Sequence, residues 1–134
     1  MKHTSPLRIR RSDHRERRRY RLLNLGRCGG FAEARYLARL ATTENVVVVR
    51  PHVWNSAVGT AAALQFLATV PLYPHASTTS PETRLFKFDR SKNPLRDDLL
   101  FDSLDPTDGS LAVPDDPGLG VEVDEGALER LRVD

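Results

Sequence analysis

An α/β fold is predicted by three features of this sequence. Val46–Val49 is a run of four β-branched apolar residues. Phe31–Thr42 and Ala57–Thr69 flank it with helical patterns, and a loop bearing Pro51 and His52 joins the run to the second helix. Continuous rather than alternating hydrophobicity implies a strand buried on both faces, as in a parallel sheet, and a helix on each side implies βαβ wiring. Such folds collect their chemistry in loops past the carboxyl ends of the strands. His52 is therefore the first candidate functional residue.

From the N-terminus, Met1–Arg19 has almost no apolar periodicity and includes RIRRSDHRERRR. Residues 1–20 are read as a basic, disordered arm, and 21–134 as the folded part. Tyr20–Leu25 reads as a short strand ending at Gly26. The segment from Gly26 to Gly30 matches neither the dinucleotide fingerprint nor the P-loop, so its glycines are read as easing a tight strand-to-helix turn. In Phe31–Thr42 a broad apolar stripe (Phe31, Ala34, Tyr36, Leu37, Ala38, Leu40, Ala41) leaves Glu33, Arg35 and Arg39 outside. Pro51 is expected to stop the ladder after Val46–Val49. Asn55–Ser56 can cap the helix Ala57–Thr69. That helix is apolar nearly all round, with Gln65 its main polar break, so it must pack closely against something.

A Pro-, Ser- and Thr-rich loop follows, with His75 read as a surface residue. Leu85–Phe88 reads as a third short strand whose alternation is broken by Lys87. Asn93 and Pro94 read as the cap and first residue of a helix ending by Leu100. From Phe101 the chain is turn-rich, with Ser110–Val113 and Val121–Val123 as candidate edge strands and Asp124–Leu131 as a terminal helical turn.

A chain of 134 residues with 40% hydrophobic and 28% charged residues fits one soluble globular domain. The single Cys28 rules out an internal disulfide and suits a reducing compartment. No apolar run reaches the roughly 20 residues needed to span a bilayer, and the basic N-terminus lacks the apolar core of a signal peptide. A cytoplasmic location without membrane contact is expected. The net charge of +2 conceals an asymmetry: basic residues lead acidic ones nine to two over Met1–Arg21, and acidic lead basic twelve to two over Asp97–Asp134. The Arg-rich arm offers a nucleic-acid reading. With Tyr20 its only interleaved aromatic and no recognition helix, a solvated terminus is preferred, and nucleic acid is disfavoured as a partner. Asp13, His14 and Glu16 read as surface residues rather than a metal site.

Four runs carry a resemblance: NLGRCGGFAEARYLARLA, VRPHVWNSAVGTAAALQFLA, FDRSKNPLRDDLL and VPDDPGLGVEVDEGALERL. In this order and spacing they resemble the C-terminal part of the enolase superfamily. Within it they are similar to the mandelate racemase/muconate lactonizing enzyme group and its acid-sugar members, the sugar-acid dehydratases and galactarolactone cycloisomerases. The resemblance covers about Leu22 to Asp134 and implies a partial (β/α)-barrel: the last three βα units plus a C-terminal extension, not closed by itself. Leu22–Leu25, Val46–Val49 and Leu85–Phe88 would be strands six, seven and eight.

The resemblance further implies abstraction of the proton α to a carboxylate, with Mg2+ stabilising the enolate. The three metal-binding carboxylates and a Lys base belong to earlier strands, for which this chain has no counterpart, so no metal- or cofactor-binding residue is assigned here. His52 takes the position of the strand-seven base. Asn24 stands where the family pattern has the Asp that orients that base, and Lys87 where it has a Glu that binds the substrate carboxylate. Asn accepts a hydrogen bond from the ring but adds no charge; in the serine-protease triad the same Asp-to-Asn change costs about 10⁴ in rate. A cation at Lys87 disfavours protonated His52. The implied function is the C-terminal part of a magnesium-dependent racemase, cycloisomerase or dehydratase of sugar acids, inactive alone as a truncated or decayed copy. Two alternatives stand beside it: a subunit of a split enzyme completed by another chain, and a nucleic-acid-binding protein acting through the arm. The expected partners are a sugar-acid carboxylate once the site is complete, and either the missing barrel half or further copies of the chain.

Overall fold

The computed structural model describes residues 7–8, 20–43, 47–51, 55–70 and 86–133. They run β1 (Leu7–Arg8), β2 (Tyr20–Leu22), α1 (Leu25–Cys28), α2 (Phe31–Thr43), β3 (Val47–Pro51), α3 (Ala57–Thr69), β4 (Phe86–Lys87), α4 (Pro94–Asp97), β5 (Ser110–Leu111) and α5 (Glu125–Leu131). β2, β3 and β4 form a parallel sheet with the valine-rich β3 at its centre. Tyr20 pairs with Val47 and Leu22 with Val49 on one side of β3; Arg50 pairs with Phe86 and Pro51 with Lys87 on the other. Helices fill both crossovers, the expected βαβ wiring. Among the described residues the sheet has three strands and does not close into a barrel. No helix among them is long and apolar enough to cross a membrane.

α3 carries the core. Ser56 caps it, its Oγ accepting from the Gly59 N–H at 3.2 Å. Ala57, Thr60, Ala61, Ala63, Leu64, Phe66 and Leu67 are all buried. Ala63, Leu64, Phe66 and Leu67 join Phe86 of β4 and Ala34 and Ala38 of α2 in the main cluster. Ala57, at the other end, packs with Leu99 and Leu100. Gln65 is a fastener as well as a polar break: its Nε2 donates to the Pro114 carbonyl at 2.6 Å and the Leu119 carbonyl at 3.3 Å. The C-terminal loops are thus laid across a helix that has no face fit for water.

Several elements depart from the sequence reading. The first strand ends at Leu22, because the Asn24 side chain accepts from the Gly26 N–H at 3.1 Å and starts α1 instead. The glycines therefore separate two helices, with Gly29 (φ 92°) in the left-handed region as the C-cap of α1. On α2 the buried stripe narrows to Ala34 and Ala38, while Tyr36 and Leu40 are 64% and 50% exposed. They sit on the opposite side of the 3.6-residue repeat. Pro51 closes β3 from within, since a terminal residue can do without an N–H in the ladder. Lys87 keeps the strand alternation that it was expected to break: Phe86 is buried, Lys87 exposed and Phe88 half-buried.

The fourth helix stops at Asp97, short of Leu100. Of the expected edge strands, Ser110–Leu111 forms β5 and Val123 makes a single bridge to Leu100. Leu7–Arg8, within the stretch read as lacking regular structure, pairs antiparallel with Ser110–Leu111. A two-residue ribbon has no period for a sequence reading to detect. His52 and His75 lie outside the described residues.

Phe86 joins the sheet to the helices with 1% of its surface exposed. Phe86→Ala is expected to cost about 3–5 kcal/mol, read as a lowered urea midpoint with an unchanged slope or as outright unfolding. A loss under about 1 kcal/mol would show that this joint does not bear on stability.

Candidate functional site

The register sets three chain positions at the carboxyl ends of neighbouring parallel strands. Leu22 pairs with Val49, so Asn24 lies two residues past the last β2 rung, level in the register with Pro51. Pro51 in turn pairs with Lys87. His52 follows Pro51 directly in sequence and lies outside the described residues, so the structure brings Asn24 and Lys87 to one sheet edge and leaves His52 unplaced. Adjacent strands are about 4.8 Å apart, which separates the backbones of the two outer positions by about 10 Å.

Asn24 is half-buried and serves as a cap. Besides the bond from Gly26 to its side chain, its carbonyl accepts from the N–H groups of Arg27 and Cys28, each at 3.0 Å. Its side-chain oxygen retains a second lone pair for a ring N–H, and as an amide it brings no negative charge. Lys87 is exposed, on the face of β4 opposite buried Phe86. That face is turned away from α3, with which Phe86 clusters.

The segment after β4 is built around Arg96, which sequence reasoning passed over. Arg96 is only 7% exposed. Its Nη1 donates to the Asp89 carbonyl, its Nη2 to the Ser91 carbonyl and its Nε to Asp97 Oδ1, each at 2.6 Å. The guanidinium also lies 5.2 Å from the centroid of the Phe88 ring. Asn93 uses its groups as fully. Its Oδ1 accepts from the Leu95 N–H at 3.2 Å, its N–H donates to Asp97 Oδ2 at 2.9 Å, and its Nδ2 donates to the Asn55 carbonyl at 3.3 Å. The last bond spans from the loop after β4 to the start of α3. The sequence signal was Asn-Pro at a helix start, which gives the cap but not its long-range partner.

Among the described residues, no three of His, Cys, Asp and Glu are grouped so as to hold a metal ion. They do not fit the three-carboxylate magnesium site that the resemblance implies. An open cleft of about 470 Å³ lies elsewhere, among Asp102–Leu104 and loop residues between Ala112 and Glu122. Neither Asn24 nor Lys87 lines it. The strand edge, not this cleft, is where the fold class places chemistry.

The Arg96 guanidinium holds the Asp97 carboxyl below the usual carboxylate range, and the Asn93 N–H adds to the effect. A carboxyl lowered in the folded state stabilises the fold above its unfolded value and loses that contribution as pH falls through the lowered one. The stability advantage of the native chain over Asp97→Asn is therefore expected in full above about pH 4 and should shrink as the pH is lowered further. Urea unfolding of both proteins across that range checks it, and a difference independent of pH would contradict it.

Comparison with known proteins agrees with this architecture. Residues 15–127 match the family model described as enolase C-terminal domain-like. The D-galactarolactone cycloisomerase of Agrobacterium fabrum is 42% identical over 106 residues, covering 79% of this chain and 27% of that protein. The crystal structure of the 3,6-anhydro-D-galactonate cycloisomerase from Zobellia galactanivorans superposes with a TM-score of 0.60 at 33% identity, covering 76% of this chain and 26% of that one. A mandelate racemase subgroup enolase from Agrobacterium tumefaciens gives 0.63 at 22% identity, covering 84% and 28%, a likeness of fold alone. The chain thus spans about a quarter of the length of these relatives.

Proposed function

From the premise that this chain belongs to the enolase C-terminal domain-like family, we propose that it forms the closing part of an enolase-type (β/α)-barrel and carries the proton-handling edge of a sugar-acid isomerase or lyase. β2, β3 and β4 would be the last three barrel strands, and the segment after α4 the C-terminal extension. The observation that supports this most directly is the parallel register: Lys87 shares a rung with the residue before His52, and Asn24 follows the strand on the other side. The 42% identity to a galactarolactone cycloisomerase supports a sugar-acid substrate class.

In this reading His52 takes or returns the proton α to the substrate carboxylate. Asn24 orients the imidazole through a neutral hydrogen bond, and Lys87 supplies positive charge toward a carboxylate. A charged partner strengthens an imidazole base, and the neutral Asn24 adds no such charge, so it would raise the basicity of His52 less than a carboxylate would. Among the described residues no carboxylates are grouped to supply the metal's share of enolate stabilisation, which supports the reading that these residues do not catalyse by themselves. Among those residues β2 and β4 each have a neighbour on one side only. Two open edges favour completion by further strands, from the missing barrel half or from other copies of the chain.

The test is exchange of the substrate α-proton for deuterium, with magnesium and a panel of sugar acids. The chain alone is expected to give no exchange above buffer. Exchange by the chain alone that disappears in His52→Ala would overturn its inactivity. When the chain is supplied with metal-bearing barrel strands of a relative, exchange should appear and should fall by about 10²–10⁴ in His52→Ala. Exchange indifferent to His52 would overturn the assignment of the base.

A further inference from the structure

The tight turn that leads into β5 is built on Asp108–Gly109, the one Asp-Gly step in the sequence, which has no Asn-Gly step. Thr107 and Ser110 exchange both backbone hydrogen bonds across it, each 2.9 Å long. Asp108 has φ 50° and Gly109 φ 73°, so both central residues lie in the left-handed region, as a type I′ turn requires. Glycine adopts that region freely; Asp108 is the non-glycine residue that does so among the described residues, against the crowding of its Cβ. Both residues are exposed. Among the described residues neither the Asp108 carboxylate nor the Gly109 N–H has a hydrogen bond or ion pair. A free carboxyl thus stands one residue before a free amide, whose nitrogen no neighbouring Cβ on Gly109 hinders.

We propose that Asp108–Gly109 is a site of spontaneous backbone isomerisation, and that its conversion releases the β1–β5 ribbon. The Gly109 amide nitrogen attacks the side-chain carboxyl carbon of Asp108. A C–N bond forms, the nitrogen gives up its proton and the carboxyl its hydroxyl, and the two leave as one water. The product is a five-membered succinimide, and water then adds to one of its two carbonyl carbons. Breaking the nitrogen's bond to the side-chain carbonyl restores aspartate. Breaking its bond to the main-chain carbonyl gives isoaspartate, with the chain routed through Cβ and Cγ of Asp108. Nothing is oxidised or reduced, and water is the only co-reactant. The new route puts one more backbone atom between Asp108 Cα and the Gly109 nitrogen, so the turn no longer sets Thr107 opposite Ser110. The next residue, Leu111, pairs with Leu7 of β1 and is 1% exposed in the main core cluster. Register lost at the turn is therefore lost in the ribbon as well. The proposal is independent of the reading of His52 as a base.

The experiment incubates the folded full chain in neutral buffer and follows two readouts over time. Peptide mapping with electron-transfer fragmentation distinguishes aspartate from isoaspartate at each position, and backbone hydrogen exchange reports the ribbon. Isoaspartate is expected to accumulate at residue 108 and at no other aspartate, preceded by a species lighter by one water. Exchange protection over residues 107–111 should be lost in proportion to the converted fraction. Asp108→Gly keeps the turn, since Gly-Gly also forms type I′, and removes the carboxyl; it should give no product and keep its protection throughout. Asp108→Asn, which closes the same ring with loss of ammonia, supplies the authentic product for comparison. Isoaspartate spread evenly over the aspartates, or found at residue 108 only in a urea-unfolded control, overturns the proposal. Conversion at residue 108 with unchanged protection overturns the release of the ribbon.

Discussion

A helix that is apolar on every side can face water on none of them, and α3 imposes that condition on the whole molecule. Its inner residues Ala63, Leu64, Phe66 and Leu67 need the sheet and α2. Its first residue, Ala57, needs Leu99 and Leu100 from the segment after α4. Small residues make the close approach possible, since four of the seven buried α3 positions are Ala or Thr, the other three being Leu64, Phe66 and Leu67. Burying such a surface is worth roughly 25 cal/mol per Å², and only a layer on each side realises it. The long C-terminal segment, poor in regular structure, is therefore as necessary to the fold as the strands are.

That packing fixes which way the sheet faces. Phe86 belongs to the α3 cluster, so Lys87, the next residue along β4, turns the other way. β4 thus commits Phe86 to the helices and leaves Lys87 exposed on its opposite face, at the sheet's carboxyl edge. Most of the described carboxylates fall in the segment from Asp97 onward, and among the described residues no three of His, Cys, Asp and Glu are grouped so as to hold a metal ion.

The sequence was most readable where one local rule decides the structure. The bounds of α3 follow from its apolar run and its serine cap, and the start of α4 from Asn-Pro. The family itself was readable from four spaced motifs. Asn24 was readable in type but not in role: its place as a helix cap follows from ordinary capping preference, which the run of apolar neighbours concealed. Arg96 was not readable at all. Arginine in an acidic stretch normally signals a solvated ion pair, and its burial here depends on two carbonyls that only the folded loop presents. Tyr36 and Leu40 erred the other way, because periodicity reports a stripe without saying how much of it the neighbours cover. The pairing of β1 with β5 depends on partners about a hundred residues apart in sequence, which no local pattern encodes.

The central claim is that Asn24, two residues past the last β2 rung, and Lys87, on the last β4 rung, lie on either side of β3 at one edge of a single parallel sheet. Spin labels at Asn24→Cys and Lys87→Cys, in a Cys28→Ser background, test it most directly by continuous-wave electron paramagnetic resonance. Backbones two strand spacings apart, about 10 Å, should give strong dipolar broadening that vanishes when either label is omitted. A doubly labelled spectrum equal to the sum of the two single-label spectra would put these residues on unrelated surfaces and contradict the account.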